Sequence, residues 1–71
     1  MGRRLIRIAK KDIIATSSDL INRELDVVMI SAQVYHGVFI EIKSNILTIR
    51  NMLGNKHHLD ISIIDEIIYS V

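Results

Sequence analysis

Arg3, Arg4, Arg7, Lys10 and Lys11 give the first eleven residues five cations and no acid. Such side chains displace the counterions condensed on a phosphate backbone, which yields affinity for nucleic acid that depends little on sequence and falls with salt. Residues 12–71 carry four basic and eight acidic side chains, so the formal charge of +1 joins a basic N-terminus to an acidic body of net −4. A second group, Lys56, His57 and His58, could meet phosphate or bases, while His36, beside Tyr35, is a ring of the kind that stacks on unpaired bases. Each also has an ordinary role. A basic terminus can simply be solvated, Lys56 to His58 can be the wet face of a strand, and a lone strand histidine is more often structural.

Enzymatic chemistry is not expected. No nucleophile stands beside a base in sequence, three glycines make no phosphate-cradling loop, and no carboxylate pair lies on an apolar background. The chain has no cysteine and its three histidines lack zinc-site spacing, so neither a disulfide nor a metal is expected, and no cofactor is implied.

A chain of 71 residues forms one domain with a small core, and self-association is the staple left to it. Apolar residues make up 49% of the chain but aromatics only 4%, which leaves aliphatic, largely β-branched material suited to pleated sheet. No apolar run reaches transmembrane length and no secretory h-region opens the sequence, so no membrane partner and a cytoplasmic location are expected.

The residues divide into a basic arm, 1–9, and a folded domain, 10–71. From about 10 to 24, Ile13, Ile14, Ser17, Leu20 and Ile21 recur at helical spacing, with Asp12 early and Arg23 late. Thr16-Ser17-Ser18 could instead interrupt this helix and restart it at Asp19. Short strands follow: Asp26 to Ser31, Val34 to Lys43, Ile46 to Arg50, Lys56 to Ile61, and Glu66 to Val71 after a tight turn at Ser62 to Asp65. In the second, Val34, Val38, Ile40 and Ile42 should face one way and Tyr35 and Phe39 the other. Two apolar faces call for a cover, and Gly37 lets the strand bend. The last strand, with a single charge and no proline in the chain, should need a neighbouring subunit along its edge.

Ser31-Ala32-Gln33-Val34-Tyr35-His36-Gly37, then Phe39, Ile46-Leu47-Thr48-Ile49-Arg50-Asn51 and Ile61-Ser62-Ile63-Ile64 resemble the Sm-like family, most closely the bacterial Hfq-type RNA chaperones. Lys11-Asp12 stands near where that branch opens its helix with Gln-Asp. The resemblance implies a mainly β fold: a small, strongly bent, five-stranded Sm-like (SH3-type) barrel behind an N-terminal α-helix. It also implies a homo-oligomeric ring of six or seven subunits, in which the fourth strand of one pairs with the fifth of the next.

Departures from the family bear on RNA. Lys43 replaces an acidic residue, and Asn45 occupies the place of a base-stacking aromatic. The pore dipeptide matches Lys56-His57 only with a two-residue insertion, and otherwise falls on His58-Leu59. Val28, Ala32 and Val34 replace the residues that would sort adenines. Two functions follow as expectations. One is single-stranded RNA binding of low selectivity through Arg3, Arg4, Arg7, Lys10, Lys11, Asn45, Lys56 and His57; the other is a structural module that keeps the ring without RNA.

Overall fold

A computed structural model describes residues 4–70. Six strands form one antiparallel sheet: β1 (Leu5–Ala9), β2 (Glu24–Met29), β3 (Val34–Lys43), β4 (Ile46–Arg50), β5 (Lys56–Asp60) and β6 (Ile64–Ser70), in the order β1-β6-β2-β3-β4-β5. One α-helix, α1 (Ile13–Leu20), follows a single 3-10 turn at Lys10–Asp12, and a second 3-10 turn, Ile61–Ile63, joins β5 to β6. No helix among the described residues is long and apolar enough to cross a membrane.

The fold is thus mainly β with an N-terminal helix, but it has six strands where five were expected. The extra one comes from the segment read as a basic arm. Leu5-Ile6-Arg7-Ile8-Ala9 alternates, so Ile6 and Ile8 turn inward while Arg7 stays out, and Leu5 to Ala9 pair with Ser70 to Glu66. Ile8 is 7% exposed and joins the core. The free edge expected on the last strand is therefore covered by β1 of the same chain. Arg3 lies outside the described residues.

The helix is shorter than its apolar spacing suggested. It buries Ile13 and Leu20, one heptad apart, and leaves Ile14 and Ile21 exposed. Asn22, at φ 67°, turns the chain into β2. Thr16 and Ser17 do not break the helix, because their hydroxyls donate backward to the carbonyls of Asp12 (2.9 Å) and Ile14 (2.9 Å).

Inward rows run across the strands: Ile8, Ile67, Val27 and Tyr35 in one, and Phe39, Ile49 and His57 in another. Register slips between Phe39 and Glu41, which leaves Ile40 as a bulge and brings Ile42 round to pack on the core beside Leu47. The expected grouping of Ile42 with Val34 and Val38 on one face is corrected by that bulge. At Gly37 an added Cβ would lie 2.7 Å from the Arg50 carbonyl oxygen, so glycine admits the close approach of β4. Ser44 (φ 52°) and Asn45 (φ 65°) form the two-residue turn between β3 and β4 with both φ positive, the twist that suits a hairpin.

Candidate nucleic-acid interface

Three of the side chains expected to meet RNA converge in one groove. Its walls are Lys10 and Lys11 from the turn before α1, Asn45 from the β3–β4 turn, Ser62 from the 3-10 turn before β6 and Asp65 from the start of β6; Ile14 and Ile61 add apolar surface. Antiparallel pairing of β1 with β6 ends at Ala9 opposite Glu66, which delivers Lys10 to the 61–65 crossing. Lys10 Nζ donates to the Ser62 carbonyl oxygen. Ile61 N donates to the Asn45 carbonyl (3.0 Å), and Asn45 Nδ2 donates to Asp60 Oδ1 (3.3 Å), which ties the β3–β4 turn to the same crossing.

Asp60 organises that corner. Its Oδ1 accepts from Ser62 N (2.9 Å) and Ser62 Oγ (2.8 Å), and these bonds, aided by Asn45 and the charge of Lys10, hold its carboxyl below the usual aspartate range. Lys11 is exposed and makes no ion pair among the described residues, so its ammonium is available to a ligand.

The other expected residues lie elsewhere. Arg7 Nη1 donates to Glu66 Oε2 at 2.8 Å on the outer face, and Arg4 stands exposed just before β1. Lys56 and His57 sit at the far end of β5 from Asp60, about 13 Å and about 10 Å along the strand. As neighbours on a strand they face opposite ways: Lys56 pairs with Arg50 on the outer side, and His57 pairs with Ile49 on the inner. His57 packs against the Tyr35 ring (centroids 5.4 Å apart) and lies 3.3 Å from Asn51 Nδ2, so the dipeptide does not act as one polar surface.

His36 is held on the outer face by two carboxylates from β2, Asp26 Oδ1 at 2.6 Å from Nδ1 and Glu24 Oε2 at 3.7 Å from Nε2. The Asp26 hydrogen bond raises the imidazole above its ordinary pKa, with partial desolvation opposing. A ring so engaged is an anchor between strands. Among the described residues no three His, Asp or Glu groups are disposed to hold a metal ion.

Sequence reasoning missed Ser62 and Ile14 as groove walls. Their recruitment follows from β1 pairing with β6, and nothing local in the sequence signals it.

Comparison of the chain with protein-family models, curated proteins and solved structures gives no match.

Proposed function

We propose that the protein is a self-associating, Sm-like RNA-binding module that holds single-stranded RNA with low selectivity. The observation that carries the reading is the convergence of Lys10, Lys11 and Asn45 on a groove with apolar surface at Ile14 and Ile61. Lys11 offers a mobile ammonium for phosphate, and Asn45 presents an amide with both donor and acceptor capacity for a base edge. Ile14, exposed on the groove wall, offers a base an apolar face. The helix followed by short, bent strands supports the finer assignment to an Sm-like barrel, with β1 as an added strand. Function argued from fold alone is analogy, so the groove has to carry it.

A titration followed by fluorescence anisotropy tests this, using labelled oligo(U) and oligo(A) at low and at physiological salt with protein whose mass is set by light scattering. Micromolar or tighter binding that weakens with salt is expected, and Lys11→Glu reduces the salt slope by about one. A well-formed oligomer that binds neither oligomer would leave the second reading, an assembly module without RNA. One observation favours that alternative: Ile30, Val34 and Ile63 are all exposed, and Ile30 is joined to Ile63 by a backbone hydrogen bond of 2.9 Å.

A further inference from the structure

Two strands end the sheet, β1 on one side and β5 on the other, and each is five residues long. Among the described residues, no backbone hydrogen bond is recorded from the outer side of either strand to another part of the chain. Every such N–H and C=O seeks a partner, and an unpaired strand edge is a template for another strand. We infer that the chain associates head to tail, with β1 of one copy adding to β5 of the next.

The two edges match in phase. On β1, Ile6 and Ile8 face inward and Leu5, Arg7 and Ala9 outward; on β5, His57 and Leu59 face inward and Lys56, His58 and Asp60 outward. Among the antiparallel registers that keep inner with inner, two set Arg7 of one copy opposite Asp60 or one position diagonal to it and bring opposite charges together, whereas the shift that sets Arg7 opposite Lys56 is disfavoured by like charge. Beside β5 lies a groove whose apolar wall is Met29, Ile30, Tyr35, Leu59 and Ile63 and whose polar wall includes His58 and Asp60 of β5 itself. Ile6, inward-facing on β1 and only partly buried, is the apolar side chain that β1 would bring to the inner side of β5.

The alternative is addition of β5 to β6, and it requires β1 to leave. Departure would expose Ile8, break the Arg7–Glu66 ion pair and undo five cross-strand pairs. Addition to β1 loses none of these. Because the same heterologous contact repeats from copy to copy, it closes a ring or runs on as a filament according to the rotation per step.

This inference rests on the self-association in the proposed function, and the test separates the two. The chain has no cysteine, so single cysteines report contacts cleanly. Ala9→Cys protein is mixed in turn with His58→Cys and with Lys56→Cys protein, oxidised, and run without reductant, alongside sedimentation of the unmodified chain. Expected are a sedimenting mass at a multiple of 8.1 kDa and a disulfide-linked dimer in one of the two mixtures that is lost in each variant alone. Thermal unfolding of each variant confirms that it is folded. A chain that stays at 8.1 kDa overturns both the self-association and this inference. An oligomer that links in neither mixture, or links His58→Cys to Glu66→Cys instead, overturns this inference alone.

Discussion

The N-terminal segment and the β4–β5 hairpin both carry cations, yet they use them differently. In the first, Arg7 is paired with Glu66 and Lys10 is bonded to the Ser62 carbonyl, so two of its charges fasten β1 and its exit to the sheet. In the second, Arg50 and Lys56 face each other across the ladder with no ion pair among the described residues, beneath a tip where Met52 and Leu53 are 79% and 85% exposed. The N-terminal segment looks dispensable by charge but is built into the core, whereas the hairpin tip looks sticky by composition but carries little of the fold. Charge reversal at Arg7 or Lys10 would therefore mix loss of structure with loss of binding, while Lys11 and Lys56 report binding alone.

The largest expected effect tests whether β1 belongs to the fold. Ile8→Ala removes a side chain 7% exposed and should cost about 2–3 kcal/mol, read as a lower urea midpoint with unchanged slope. Leu53→Ala at the hairpin tip should stay within about 0.5 kcal/mol of the parent. Equal, small effects from both would mean that residues 5–9 are an arm after all. For a domain of this size, at roughly 0.05–0.15 kcal/mol per residue, the Ile8 loss is a large share of the total.

Next in size is the close approach of β4 to β3 at Gly37. Gly37→Ala sets a methyl 2.7 Å from the Arg50 carbonyl oxygen, a backbone atom that moves only if β4 does. The expected loss is about 1–3 kcal/mol. Thermal unfolding of this variant beside Ile8→Ala would show whether the two ends of the sheet melt together. Within the hairpin, Asn51 Oδ1 accepts from Leu53 N (3.0 Å) and Asn55 N (2.9 Å), so Asn51→Ala should cost about 1 kcal/mol and loosen the tip.

The contrast also explains what the sequence made legible. Val34–Lys43 and Ile46–Arg50 stand where their apolar runs and the Ser44-Asn45 turn put them, because strand, turn and strand are local signals that agree. β1 was hidden because five cations in eleven residues outweigh the alternation of so short a run, and its partner β6 lies 57 or more residues away in sequence. Ile13 and Ile14 both suited the helix pattern, and only the docking of α1 decided that Ile13 is buried. The groove is legible in its residue types and not in its assembly: Lys10 and Lys11 belong to the basic N-terminal cluster and Asn45 to a distant turn, and their convergence needs the β1–β6 pairing. Lys56 and His57 were marked as a pair, and strand alternation separates them.

Lys11→Glu and Lys56→Glu sharpen the comparison at the level of binding. If the groove holds RNA, the first should lower affinity by several-fold to about tenfold, and the second should act only through the general field. Anisotropy titrations at two salt concentrations measure both. The reverse ranking would move the RNA to the hairpin face and leave the groove a structural joint.

The smallest effect lies between β2 and β3 on the outer face. Asp26 raises the His36 imidazole above its unfolded value near 6.5, so the pair stabilises the fold fully below that value, and the contribution fades as pH rises through the higher folded pKa. Both side chains are about half exposed, and water screens the pair to a few tenths of a kcal/mol. An NMR titration should find the His36 midpoint above 6.5 in the parent and lower in Asp26→Asn, with unfolding midpoints of the two proteins closer at about pH 8.5 than at about pH 6. If His36 titrated at or below its unfolded value, the 2.6 Å contact would not persist in solution, and β2 and β3 would be joined on the outer face by backbone pairing alone.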